Sequence, residues 1–170
     1  MSKRQVRLAR QAIAVDYWLD RERTYVASVD AELANEERLN INIHNPDAGE
    51  QKLYLYFAEV THSDDIELTI HTDVDDVQDE TPLAVSNNVI GSAETTAVDI
   101  AEVGAFDSLD THSQQRYLGG GTEDVFDGYR VIVLPGEDIL LEIESLSGGN
   151  NAGIRIAWIE TPSALGTGLV

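Results

Sequence analysis

The chain has 170 residues, no cysteine, and 31 acids against 11 bases, a formal net charge of −20. That length holds one domain with its own core, and the missing thiols exclude disulfide frameworks, thiol catalysis and Cys-bearing metal sites. The charge repels DNA and anionic lipid, so neither nucleic acid nor membrane is an expected partner.

The charge is unevenly spread. Residues 1–23 hold six bases and three acids, which leaves 28 acids and five bases on the remainder. Only Lys3 and Lys52 are lysines, against nine arginines. A field of this size destabilises a compact fold in dilute buffer. At about 1 M salt the Debye length falls to roughly 3 Å and the penalty fades. A salt-adapted surface is therefore expected.

In chain order, 1–23 reads as a basic N-terminal helix or arm, with Arg4, Arg7 and Arg10 beside an apolar stripe of Val6, Ala9, Ile13 and Tyr17. A second stripe of Leu8, Ala12, Val15 and Leu19 widens that apolar surface, which needs a partner. The partner is either its own body or an acidic neighbouring subunit. The bases lie near the helix start, the unfavourable end of the macrodipole. The charge pattern is not that of a secretory signal, and no run of about 18 apolar residues spans a bilayer.

From residue 24 the period changes to two. Tyr25, Ala27, Val29, Ala31 and Leu33 alternate with mostly polar residues, and Leu39, Ile41 and Ile43 alternate with Asn40, Asn42 and His44. Both patterns describe half-buried strands. The 45–49 stretch is a turn built on Pro46 and Gly49. Lys52–Val60 is apolar on both faces and reads as a strand covered on both sides. Ile66, Leu68 and Ile70 give a strand with one wet face. The acidic 73–82 stretch and the polar 104–124 stretch read as loops, with weak strands near 83–90 and 95–101. Further strands are predicted over 126–134, around Ile139, Leu141 and Ile143, and around Ile154, Ile156 and Trp158. The end, 161–170, reads as a tail. Short strands with regular turns and no βαβ alternation predict an all-β, antiparallel β-sandwich of jelly-roll-like topology over 24–160.

Candidate chemistry is sparse. His62 and Asp64, like His71 and Asp73, are spaced to share a strand face, so a carboxylate–imidazole site is conceivable. No HxH or HExxH spacing supports it, and solvent-facing histidines are expected. Asp73, Asp75 and Asp76 form the one candidate cation site, although a calcium loop counted from Asp73 fails at Gln78 and Ala84. Gly119-Gly120-Gly121 lacks the lysine of a phosphate-binding loop, and no Gly-x-Ser-x-Gly elbow is present. Trp18 and Trp158 could stack on a sugar, but Trp158 alternates with core residues. No catalytic residue and no cofactor is expected beyond weakly bound cations.

Two passages carry a resemblance. Residues 39–49 running into Lys52-Leu53-Tyr54-Leu55, and Val131–Glu137 followed by 139–145 and 148–158, resemble the small β-sandwich structural proteins of tailed-virus particles. The acidic, lysine-poor composition is similar to that of haloarchaeal proteins and their viruses. The resemblance implies a non-enzymatic virion component: a capsid decoration, turret or tail-associated protein of a halophilic tailed virus. It would be assembled in the host cytoplasm as a symmetric homo-oligomer, a trimer or pentamer, on other virion proteins such as the major capsid protein. The arm, with Arg4, Arg7, Arg10, Val6, Ile13 and Tyr17, is then the expected assembly element. The alternative is a carbohydrate-binding module or adhesin domain of a halophile, and a third reading is a sandwich-fold enzyme using His and carboxylate ligands.

Overall fold

The computed structural model describes residues 23–46, 51–89, 92–126 and 131–162. The expected arm, apart from Arg23, and the tail beyond Pro162 lie outside the described residues. Twelve strands are present: β1 (Thr24–Leu33), β2 (Arg38–His44), β3 (Gln51–His62), β4 (Ile66–Gln78), β5 (Thr81–Pro82), β6 (Val85–Asn87), β7 (Asp99–Glu102), β8 (Ala105–Tyr117), β9 (Gly121–Asp124), β10 (Val131–Val133), β11 (Asp138–Ser145) and β12 (Asn150–Pro162). Sheet A runs β10-β3-β12-β1-β6, with β9 also beside β3, and sheet B runs β5-β7-β2-β11-β4-β8.

The pairing is nested and antiparallel: β1 with β12, β2 with β11, β3 with β9 and β10, β4 with β8. This is the jelly-roll order, with β5–β7 inserted between β4 and β8. The all-β sandwich expected from the period-two pattern is the fold.

The core follows strand parity. Tyr25, Ala27 and Val29 of β1 lie opposite Trp158, Ile156 and Ile154 of β12, and Leu39, Ile41 and Ile43 of β2 lie opposite Ile143, Leu141 and Ile139 of β11. Trp158 is fully buried and stacks on Tyr25 with ring centroids 5.9 Å apart. The same parity turns Glu160 inward, 2 % exposed. Its carboxylate accepts from the Trp158 indole at 3.2 Å, from the Ala97 N–H at 3.2 Å and from the Thr96 hydroxyl. A buried carboxylate is tolerable only with such donors.

The apolar run at 53–57 has a different cause from the two-sided burial expected. Ala157 pairs with Phe57 but Trp158 pairs with Leu55, so Tyr56 is an extra residue, a β-bulge. Leu53 and Leu55 point inward before it, and Ala58 and Val60 after it. Tyr54, Tyr56 and Phe57 are half-buried, and the Arg155 guanidinium lies 5.8 Å from the Phe57 ring centroid.

The expected loops at 73–82 and 104–124 are for the most part a long two-stranded ribbon. β4 continues to Gln78 and β8 spans Ala105–Tyr117, paired through two bulges. Asp73, Asp76 and Asp79 adopt φ of 56°, 53° and 56°, a left-handed geometry that Asp tolerates better than most residues. These bends carry Val74, Val77 and Phe106 over the outer face of sheet B, where they pack on Leu140, Ala101 and Val103. Leu140 is therefore 0 % exposed, as is Leu141 on the opposite face. Of the strand predicted over 126–134, Val131–Val133 is β10.

Candidate functional site

The ribbon leaves a cleft of about 610 Å³ between itself and the outer face of sheet B. Arg38 and Asn40 of β2 and Glu142 of β11 form its floor, Glu36 of the β1–β2 turn one end, and Asp79, Thr81 and Glu102 its rim. Gly104, Ala105 and Phe106 supply the wall. Antiparallel register places Asn40 opposite Glu142 and Arg38 opposite Glu144.

Arg38 reaches Glu142 at 3.5 Å and Glu144 at 2.6 Å, so its charge is already engaged. The Asn40 side-chain amide donates to the Val103 carbonyl at 3.3 Å, and the Val103 N–H returns a bond to the Asn40 carbonyl at 3.0 Å. Asn40 is 7 % exposed, yet its Oδ1 has no hydrogen-bond partner among the described residues. Oδ1 of Asn42 shares that state, while its amide donates to Asp138 at 3.0 Å. Asp138 in turn meets His44 Nδ1 at 3.0 Å. The cleft thus offers more acceptors than donors.

Behind the floor, His71 stands edge-on to Phe106 at 5.0 Å, with Nε2 3.9 Å from Glu142. Neither ring nitrogen has a hydrogen-bond partner among the described residues. Burial holds its pKa below the ordinary 6.5, against the attraction of Glu142 and with a smaller contribution from Arg38. On the neighbouring edge, Glu67 accepts from Arg116 at 2.6 Å and from Gln114 at 2.5 Å. Those two bonds lower its pKa.

The solvent-facing histidines expected from the alternation are corrected at two positions. His71 is half-buried because the ribbon covers its face, and the His62 side chain is 1 % exposed at the end of β3. His62 Nδ1–H donates to the Asp64 carbonyl at 2.8 Å, so the His62–Asp64 pair is a turn contact and not a carboxylate–imidazole site. His112 is exposed and has no partner on β4, being the extra residue of a bulge. Asp73, Asp75 and Asp76 are all exposed on the ribbon, with Asp75 directly opposite Asp107. Among the described residues no three His, Asp or Glu side chains converge on a possible metal position. Trp158 lies in the core and offers no sugar platform; Trp18, like Arg4, Arg7, Arg10, Val6, Ile13 and Tyr17, is outside the described residues.

Gly119 and Gly120 lie in the β8–β9 turn and Gly121 opens β9; the turn is seated against the β3–β4 turn, where the Gly119 N–H donates to Asp65 at 2.5 Å. Sequence reasoning missed the cleft residues Asn40 and Glu142. Their one local signal was polar residues placed opposite each other on two strands that are otherwise among the most apolar of the chain.

No family model matches the chain, and no curated protein is similar to it. Among solved structures, the chain is similar to the Yersinia pseudotuberculosis-derived mitogen, at 13 % identity, covering 79 % of this chain and 85 % of that one, with a TM-score of 0.31. It is also similar to the infectious bursal disease virus VP2 subviral particle, at 14 % identity over 87 % of this chain and 44 % of that one, with a TM-score of 0.15. At these TM-scores neither likeness bears on function.

Proposed function

We propose that this chain is a non-enzymatic structural subunit of a virion, a capsid decoration, turret or tail-associated component of a halophilic tailed virus, working as a symmetric homo-oligomer. The observation that carries the reading is the exit of both chain ends from one end of one sheet. Thr24 at the start of β1 pairs with Ile159 near the end of β12, and Gln51 lies beside Pro162. Thr24 and Pro162, the first and last strand residues described, therefore lie at one end of sheet A, the end at which the edge strand β10 finishes. There Ile132 is 47 % and the following Leu134 is 49 % exposed. Exposed apolar residues on a sheet edge, beside a basic segment with an apolar stripe, suit subunit contact.

Light scattering in molar salt tests the assembly. The full chain is expected to have the mass of a trimer or pentamer, and a chain starting at Thr24 that of a monomer. A monomeric full chain, or a truncated chain that stays oligomeric, overturns the assembly role of the arm. The virion assignment has a separate test: peptides of the chain are expected in density-purified particles from the source culture, and particles free of it overturn that assignment.

A further inference from the structure

Going beyond the assembly reading, we propose that the outer face of sheet A, at the end where β1 begins, is the seat of segment 6–17 of the same chain, packed there as a helix on its apolar stripe. The stripe then belongs to the chain's own body, and the bases Arg4, Arg7 and Arg10 are what the segment offers a neighbour.

The argument starts from a change of burial along one face. Antiparallel register pairs Glu32 with Asn151 and Ser28 with Arg155 on the side of sheet A turned away from the core, and all four are exposed. Towards the start of β1 the same face closes. Ala157 is 6 % exposed, Ile159 and Thr161 are 4 % exposed, and Thr24, opposite Ile159, is 0 % exposed. Tyr54, on the other flank of Ile159, is half-buried. All described strands belong to sheets A and B, and sheet B packs on the other side of β12, against Ile154, Ile156 and Trp158. Thr95 and Thr96 reach the hydroxyl of Tyr25 and the carboxylate of Glu160, both on that inner side as well. Neither sheet covers Ile159. Its burial is complete within one chain, so the cover comes from the chain itself and not from a second copy.

Length, place and pattern select the occupant. Residues 47–50, 90–91 and 127–130 span four positions at most, too few to roof three strands. Residues 163–170 carry Leu165, Leu169 and Val170 among two glycines, whose backbone entropy disfavours an ordered element. Segment 1–22 enters at the patch itself: the Glu160 N–H donates to the Arg23 carbonyl at 3.2 Å, and Thr24 is the next residue. Val6, Ala9, Ile13 and Tyr17 fall on one helical face, a stripe about 17 Å long at 1.5 Å per residue. The covered rows from Ala157 to Thr161 run about 13 Å along the strand, and β1, β12 and β3 together are about 10 Å across between outer strand axes. A helix with its side chains is about 10 Å wide, a match to that patch.

The chain has no cysteine, so one introduced thiol reports the cover. Ile159→Cys places it under the proposed helix, and Ser28→Cys places it on the exposed part of the same face. In the full chain a maleimide is expected to modify the first at least about tenfold more slowly than the second. Adding Ile13→Asp and Tyr17→Asp is expected to bring the two rates within about threefold, with far-UV circular dichroism unchanged. A stripe variant that loses its circular dichroism is replaced by Ile13→Ser and Tyr17→Ser, read in the same way. Equal rates with the native segment, or protection that survives the stripe substitutions, overturn the proposal. Release on deletion of 163–170 gives the face to the tail and overturns it too. Mixed with native chains in molar salt, the thiol of the stripe variant is expected to stay reactive; protection by a partner's segment overturns the assignment to the same chain. Light scattering decides assembly separately. An oligomer in which Ile159→Cys reacts freely leaves the assembly reading standing and this one fallen, and a monomer with that thiol protected does the reverse.

Discussion

His71 is a half-buried imidazole whose burial favours the neutral form, with Phe106 in a T-shaped contact and no hydrogen bond to either nitrogen among the described residues. Because its folded pKa lies below the ordinary 6.5, the unfolded chain takes up the proton first. Stability contributed by the neutral ring is therefore present above that value and is lost as the pH falls below it. His71→Leu removes two unsatisfied nitrogens and is expected to leave stability at pH 7 unchanged or raised by about 1 kcal/mol. Urea midpoints at neutral and mildly acidic pH should fall more for the wild type than for the variant. Equal falls would mean that His71 carries none of the acid sensitivity. Asparagines play the opposite part in the turns. Asn150 is 0 % exposed and accepts from the Ser63 N–H and hydroxyl and the Asp64 N–H, while its amide donates to the Asp64 and Asp65 carbonyls. Asn45 likewise donates to the Gln51 and Val133 carbonyls, tying the start of β3 to the end of β10.

Among the elements, the two turns at the β3–β4 and β8–β9 ends pack closely enough to exclude a side chain. A Cβ added at Gly120 would lie 2.7 Å from the Ser63 carbonyl oxygen, which is backbone and cannot swing away. Gly120→Ala is expected to cost about 1–3 kcal/mol in chemical denaturation, whereas Gly148→Ala should stay within about 0.5 kcal/mol. Gly148 has nothing within 4 Å of the added carbon; equal costs at the two positions would show that the turn contact does not constrain the chain. The strands of the sandwich proper were legible in the sequence because each has one dry face: β1, β2, the first half of β4, β11 and β12 all alternate. The ribbon was not. Its far half packs only a few apolar residues and is bent by aspartates in left-handed geometry, so its local signature is that of an acidic loop. The cleft followed the ribbon into obscurity. Asn40 and Asn42 alternate with isoleucines as wet-face residues should, and their side chains are covered and bonded by residues far along the chain, Asn40 by Val103 and Asn42 by Asp138. Periodicity registers the strand but not what lies across it.

At the scale of the whole molecule, charge governs. Every described strand lies in the part of the chain that holds 28 acids against five bases, and like charges sit opposite each other on the ribbon at Asp75 and Asp107. Directly opposed carboxylates destabilise a ladder unless screened. The thermal midpoint is expected to rise by 10 °C or more, an order-of-magnitude figure, between about 0.05 M and 2 M sodium chloride, with the far-UV signal weakening at the low end. A midpoint and spectrum independent of salt would refute a salt-adapted surface. The same screening bears on assembly, since ion pairs shielded from solvent persist in salt that suppresses the long-range field.

The nested pairing also dictates a timetable. β12, the central strand of sheet A, flanked by β1 and β3, is the last of the described strands to be made. Until it is available, β1 has no large neighbour, and the apolar faces of β1 and β3 stay apart. The sandwich cannot condense strand by strand as it leaves the ribosome; it waits for β12 and then closes through contacts between strands far apart in sequence. Such long-range closure is slow and leaves unpaired edges exposed while it waits. Repulsion among the acidic side chains of the nascent chains then opposes premature association during that wait.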